Sequence, residues 1–124
     1  LSWHDSKTSI LEGVFARGDR RLGQVIYEAH KLGCKFDGWG EMFDYDKWMK
    51  AFEIAGVDPK FYNHRTRGFD EILPWSHLDY YVSEKFLQEE NRKAHESVTT
   101  PHCREKCSNC GAACMKVGVC VEKR

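Results

Sequence analysis

The hydrophobic residues in the first third of the chain recur at helical spacing, which predicts two amphipathic helices. Ser9 and Glu12 stand as in a capping box, so the first helix is expected to begin at Ser9 and to end at Gly18. Asp19 is placed to cap the second helix, which Gly33 ends. The apolar faces of the two helices would consist of Ile10, Leu11, Val14, Phe15, Leu22, Val25, Ile26, Ala29 and Leu32.

Similar signals predict two further helices and a short helical turn. Asp44 is placed to cap a helix that Gly56 ends, and Pro59 suits the first turn of a short helix beyond it. Ser83 is placed to cap the last helix, which runs to about His95. The connecting segments follow neither regular period and are expected to be loops. The aromatic residues near the third helix are predicted to be core and not a stacking platform for bases: Trp39, Phe43, Tyr45, Trp48 and Phe52.

Length and composition are those of one globular domain. The chain has 124 residues, of which 41% are hydrophobic and 13% aromatic. Its 19 basic and 19 acidic residues balance, so no overall field attracts nucleic acid or an anionic membrane. The apolar runs are too short to span a membrane, and no signal-peptide core follows Leu1. Because the first residue is not Met, we expect the chain to be a piece of a longer protein.

The cysteines are concentrated at one end of the chain. Cys34 stands alone, and the other five follow residue 102. A secreted disulfide scaffold normally spreads its cysteines through the fold, whereas a terminal cluster favours thiolates gathered on a metal in a reducing compartment. We therefore expect a cytoplasmic protein in which Cys34 is a small buried side chain. The candidate metal ligands are Cys103, Cys107, Cys110, Cys114 and Cys120.

The spacing of these cysteines suggests the form of the metal site. Cys107-x-x-Cys110-Gly111 has the form of a metal knuckle, in which a tight turn brings two sulfurs to one ion and glycine relieves the backbone. Cys103 and either Cys114 or Cys120 would complete a four-sulfur site. Structural zinc and an auxiliary 4Fe-4S iron–sulfur cluster both suit such ligands, and disulfides or free thiols are the remaining alternatives.

Other polar groups carry weaker signals. Each of two histidine–aspartate pairs could position an imidazole, although a surface or helix-capping role is the simpler reading. Three arginines near the start of the second helix could bind phosphate, although docking on a neighbouring domain is the favoured role. These groups are His4 and Asp5, His77 and Asp79, and Arg17, Arg20 and Arg21.

Several phrases of the sequence occur together in a fixed order. They are ARGDRRLG at residues 16–23, FDGW at 36–39, Phe43, AGVDP at 55–59 and LPW at 73–75. In this order they resemble the C-terminal region of a family of radical SAM proteins, often called Fe-S oxidoreductases. That region closes with a threonine–proline step and a cysteine cluster, which Thr100, Pro101 and the cysteines from Cys103 onward match.

The resemblance implies a function that the chain does not perform alone. Members of the family carry a cobalamin-binding-like domain and a radical SAM barrel upstream, so S-adenosylmethionine would be bound only by the full-length protein. The chain would dock on that barrel and would not be catalytic in isolation. The family pattern has glycine where this chain has Tyr81, and it places its last cysteine closer to Cys110 than Cys114 is.

These observations lead to one expected architecture and two functional hypotheses. We expect a mainly α protein: a small four-helix domain with irregular aromatic-rich loops, residues 1–97, and a cysteine-rich metal-binding tail, residues 98–124. The first hypothesis is an accessory domain that binds zinc or an iron–sulfur cluster. The alternative is a free-standing zinc-knuckle module that binds RNA or a protein partner, since basic residues outnumber acidic ones in the tail.

Overall fold

The computed structural model describes residues 3–112, and this stretch contains five helices and no strand. One of the helices is a single turn of four residues, so the expected mainly α class with four principal helices is confirmed. No helix within this stretch is long and apolar enough to cross a membrane. The helices are α1 (Ser6–Ala16), α2 (Leu22–Lys31), α3 (Tyr45–Ala55), α4 (Lys60–Asn63) and α5 (Glu84–His95).

The chain divides into two compact units, Leu1–Gly68 and Phe69–Arg124. Helices α1 to α4 belong to the first unit, and α5 belongs to the second together with the cysteines that follow it. The sequence-based division into residues 1–97 and 98–124 rests on composition and stays a prediction.

The first unit has a single apolar core, where α2 packs on α3 and α1 packs on α4. Cys34 is buried in it, as expected from the sequence. The predicted apolar face of α2 is correct except at Ile26, which is 49% exposed and lies at the margin of that face. Burial of these side chains is the main source of stability of the unit. The core consists of Leu11, Val14, Leu22, Val25, Ala29, Cys34, Ala51, Phe52 and Tyr62.

The aromatic residues around α3 divide into a buried group and an exposed pair. Phe52 is in the core, and Phe43, Tyr45 and Trp48 are partly buried against it. The prediction that Trp39 belongs to this core is wrong, because 59% of it is exposed. Trp39 lies in a loop turn, which is closed by the hydrogen bond from its N–H to the carbonyl of residue 36. The ring of Trp39 contacts the ring of Phe36, which is also exposed, with 5.8 Å between the ring centres.

Three predicted helix caps are confirmed. The carboxylate of Asp44 accepts a hydrogen bond from the Lys47 N–H, and the Ser83 hydroxyl accepts one from the Phe86 N–H. Gly56 ends α3 in the left-handed conformation, with φ of 65°.

The first two helices begin elsewhere than predicted. Asp5 caps α1 by accepting from the Thr8 N–H, and Ser9 lies inside the helix, where its hydroxyl donates to the Asp5 carbonyl. A carboxylate one turn upstream thus outcompetes the predicted serine cap. At α2, Asp19 binds the backbone N–H and the guanidinium of Arg21, so the helix begins at Leu22 without a side-chain cap.

Candidate metal-binding segment

In the second unit the chain reverses direction at the end of α5. Ser97 has a left-handed φ of 57°, and the Val98 N–H donates to the Lys93 carbonyl at 2.9 Å. Beyond the reversal, the Thr100 hydroxyl donates to the Glu90 carboxylate at 2.7 Å. The Lys93 ammonium donates to both Thr100 and Glu90, at 3.0 and 2.9 Å. These bonds tie the start of the cysteine segment, defined here as residues 98–112, to the side of α5.

The other end of the cysteine segment meets the beginning of the same helix. The Ser83 N–H donates to the Cys110 carbonyl at 2.8 Å, immediately before the first turn of α5. Gly111 has φ of 109°, and a Cβ on it would lie 2.6 Å from the Tyr81 carbonyl oxygen. Such a distance excludes every residue except glycine unless the backbone moves. The segment therefore returns from the C-terminus of α5 to its N-terminus and is held at both ends.

Between these anchors the cysteines lie on irregular backbone. Asn109 is left-handed with φ of 55°, and its side-chain carbonyl lies 3.8 Å from the Cys107 sulfur, which can donate to it. Positive φ values occur at Asn109 and Gly111, on either side of Cys110. Cys103 is exposed, Cys107 and Cys110 are partly buried, and all three are free thiols.

The described residues do not form a complete metal site. Within residues 3–112, no three or more cysteine, histidine, aspartate or glutamate side chains are grouped so as to hold a metal ion. Cys114 and Cys120, the two candidates for the fourth ligand, lie outside this range. The donor chemistry nevertheless suits a soft metal, because three thiols without disulfide partners lie within eight positions of one another.

His102, next to the first of these cysteines, is engaged elsewhere. Its Nδ1 accepts from the Arg104 N–H at 3.2 Å, and its Nε2 lies 3.0 Å from the Glu105 carboxylate. Because both ring nitrogens have protein partners, His102 takes part in a local turn and is not a free ligand. The contact of Thr100 with Glu90 and Lys93, which fixes the segment on α5, was not predicted from the sequence. The three-residue spacing of Glu90 and Lys93 on a helix was the available signal.

The arginines near α2 have structural roles. Arg21 forms an ion pair with Asp19 at 2.6 Å and stacks over the Phe61 ring at 4.9 Å. Hydrogen bonds from Arg21 lower the pKa of Asp19 to about 2, below its ordinary value of 3.8. Arg17 donates to the Arg65 carbonyl at 3.2 Å. The N–H groups engaged in these bonds are not available to a phosphate, whereas the Arg20 side chain is exposed.

The two histidine–aspartate pairs do not position an imidazole. His4 binds the Ser9 hydroxyl at 2.8 Å, while Asp5 caps α1. Asp79 accepts from the Tyr81 N–H at 2.8 Å, two residues along the chain. The capping and surface roles are therefore correct for both aspartates.

The first unit also has an open cleft of about 730 Å³. Both signs of charge line it, and several of these groups already have partners: Asp44 caps α3, and the Lys7 ammonium lies 5.2 Å from the Tyr45 ring centre. No set of side chains in the cleft forms a recognisable catalytic arrangement. The lining residues are Asp5, Lys7, Thr8, Gly33, Lys35, Gly40, Glu41, Met42, Phe43, Asp44, Tyr45, Asp46 and Lys47.

No protein-family model, curated protein or solved structure matches this chain. The functional argument therefore depends on the cysteine segment, on its attachment to α5, and on the sequence resemblance set out above.

Proposed function

We propose that this chain is the C-terminal accessory domain of a radical SAM, Fe-S oxidoreductase-like protein and that its cysteines hold one structural metal site. Cys103, Cys107 and Cys110 would supply three thiolates, and Cys114 or Cys120 the fourth. The domain would dock on the catalytic barrel of the same full-length protein, which alone would bind S-adenosylmethionine.

The observation that carries this proposal is the backbone conformation from Cys107 to Gly111. Asn109 and Gly111, on either side of Cys110, both have positive φ. Gly111 also packs so closely on the Tyr81 carbonyl that it has no room for a side chain, and the Cys110 carbonyl accepts from the Ser83 N–H at the start of α5. A Cys-x-x-Cys-Gly turn with a glycine that has no room for a side chain is suited to bring two sulfurs to one ion.

Zinc is the favoured metal. Four thiolates in a short segment suit the closed tetrahedral site of structural zinc, and binding would contribute folding free energy directly, on the order of 10 kcal/mol. A 4Fe-4S cluster uses the same number of cysteines and is the alternative. The metal would act as a scaffold and would not need an open coordination position.

Exposed aromatic side chains in the first unit support docking on another domain. Phe36 and Trp39 are 66% and 59% exposed and in contact with each other, and Met42, one turn further on, is 51% exposed. A rigid turn that presents large apolar side chains to solvent is typical of a protein contact surface. In the full-length protein the barrel would cover this loop.

Metal analysis with a visible absorption spectrum tests the metal site. The purified chain should contain about one zinc ion and be colourless, whereas a 4Fe-4S cluster would bring about four irons and a brown colour. Cys107→Ser should abolish stoichiometric metal, and Cys34→Ala, which alters a buried cysteine far from the segment in sequence, should retain it. A preparation with neither metal, or equal metal in both variants, would refute the site.

A second assay tests the accessory role. The isolated chain should not cleave S-adenosylmethionine under reducing conditions, and it should bind a separately produced radical SAM barrel of the family. Trp39→Ala should weaken that binding without loss of metal. Cleavage of S-adenosylmethionine by this chain alone would contradict the proposal that only the barrel binds it.

A further inference from the structure

The second unit lacks the apolar interior that usually holds a helix in place. Within residues 69–112 no residue is buried, and α5 has no buried side chain. Large apolar side chains in this stretch are instead exposed: Phe69, Ile72, Leu78, Tyr80, Tyr81, Leu87 and Val98. Burial of apolar surface is the principal stabilising term in folding, and here it contributes little.

Helix α5 is also too short to be stable by itself. It has 12 residues, and helices of about 12–15 residues are marginal in water even when their sequences favour helix formation. Its ion pairs, such as Arg92 with Glu89 and Glu96, lie on the surface, where each contributes little. Some other interaction has to offset the loss of chain entropy.

The cysteine segment supplies the contacts that α5 otherwise lacks. At the C-terminal half of the helix, Thr100 is bonded to Glu90 and Lys93. At the N-terminus, the Ser83 N–H is bonded to the Cys110 carbonyl, within the proposed metal-binding turn. The same residue, Ser83, caps the helix through its hydroxyl. The segment that carries the cysteines is therefore bonded to both ends of the helix.

We propose that metal binding by the cysteines and formation of α5 are one cooperative event. The inference rests on the proposed metal site and extends it, since it makes the metal the switch for the fold of the second unit. Without metal, the segment would lose its fixed turn and α5 its anchors. With metal, the segment would act as the packing partner of the helix.

A zinc titration of the full chain tests this inference. The reduced, metal-free protein is titrated with Zn²⁺ alone, binding is followed by competition with a chromophoric chelator, and helicity by far-ultraviolet circular dichroism. The dichroism should increase together with binding, by up to the 12 residues of α5.

A cap substitution shows whether that gain comes from α5. Ser83→Ala removes the hydroxyl bonded to the Phe86 N–H and keeps the backbone N–H that donates to the Cys110 carbonyl. Loss of an N-cap side chain lowers the population of folded α5 about fivefold. Because zinc binding and formation of α5 are coupled in the proposal, the affinity for zinc should fall by the same factor. Asp5→Ala is the matched control, because it removes the cap of α1 in the other unit and should leave zinc affinity unchanged.

The outcomes separate the two proposals. Zinc binding without a dichroism change, or an unchanged affinity in Ser83→Ala, would overturn the coupling and leave the metal site intact. A failure to bind zinc would instead refute the zinc site itself, and the coupling with it. A gain in helicity with a fivefold weaker Ser83→Ala variant and an unaffected Asp5→Ala variant would support both.

Discussion

Removal of the Tyr62 hydroxyl tests whether one hydrogen-bond cluster stabilises the first unit. Tyr62 is buried at 1% exposure, and its hydroxyl donates to the Asp19 carboxylate at 3.1 Å. The same carboxylate oxygen accepts from the backbone and side chain of Arg21, at 2.9 and 3.0 Å. This cluster joins the residue before α2 to the single-turn α4. Tyr62→Phe removes only the hydroxyl and keeps the ring in the core.

We expect Tyr62→Phe to lower the free energy of unfolding by about 1 kcal/mol at neutral pH. A hydrogen bond to a charged group contributes about 1.5–3 kcal/mol when both partners are buried. Here a quarter of the Asp19 side chain (25%) is exposed, so water can replace part of the lost bond. The matched control is Tyr27→Phe, which removes a hydroxyl from a tyrosine that is 57% exposed and should change stability by less than about 0.5 kcal/mol.

The contribution of this cluster should depend on pH in one direction. The Asp19 pKa is lowered from 3.8 to about 2, mainly by the hydrogen bonds from Arg21. A carboxylate with a depressed pKa in the folded state adds stability that is complete above its unfolded pKa. That stability is lost as the pH falls from about 3.8 towards about 2. After discounting for solvent screening, we expect a loss of about 1 kcal/mol.

Urea unfolding of a double-mutant cycle provides the measurement. Tyr62→Phe, Asp19→Asn and the double variant are compared with the parent chain at neutral pH and at about pH 3. The two side chains should be coupled by about 1 kcal/mol at neutral pH and less at the lower pH. Coupling indistinguishable from zero, or coupling that grows on acidification, would show that this hydrogen bond does not stabilise the fold.

Two further pairs of substitutions test the core and a backbone conformation, and one reactivity measurement tests a thiol. Phe52→Ala should cost about 3–5 kcal/mol in unfolding free energy, whereas Trp39→Ala, on the surface, should cost less than about 1 kcal/mol; equal losses would contradict the observed burial. Gly56→Ala, at φ of 65°, should cost about 1–2 kcal/mol by thermal unfolding, and Gly38→Ala almost nothing. Cys34, whose pKa is raised by burial, should be the slowest thiol to react with an alkylating reagent.

Much of the helical framework was predictable because its signals are local. The caps at Asp44 and Ser83 and the stop at Gly56 each require only a side chain or a φ angle within one turn of the helix end. The error at the first helix has a local origin too. Asp5 and Ser9 both satisfy the sequence rule for a cap, and the rule does not say which of two neighbouring candidates accepts the bond.

The aromatic residues show what a local pattern leaves undecided. Phe52 and Trp39 are both large and apolar, yet one is 2% exposed and the other 59%. Phe52 lies on the face of α3 that packs on α2, and its place follows from helical spacing. Trp39 lies in a loop, where side-chain direction depends on each turn in the backbone, so hydrophobicity alone misassigned it to the core.

The candidate metal ligands stay a prediction from the sequence, and the contacts that hold their segment were not predicted from it. The spacing of Cys107, Cys110 and Gly111 indicated a knuckle, and the left-handed glycine agrees with it. That Gly111 is pressed against Tyr81, or that Thr100 is bonded to Glu90, did not follow from any spacing. These contacts join residues ten or more positions apart, and their formation depends on the reversal of the chain after α5.

By itself the sequence determined the helical class, most helix ends and the chemical character of the cysteine-rich end, because each depends on neighbouring residues and on side-chain chemistry. Only the tertiary structure decided which apolar residues are buried, that Asp19 binds Arg21 and Tyr62, and that the cysteine segment returns along α5. The physical reason is that burial and long-range hydrogen bonds depend on how the whole chain is arranged in space, and many arrangements are compatible with the same local pattern.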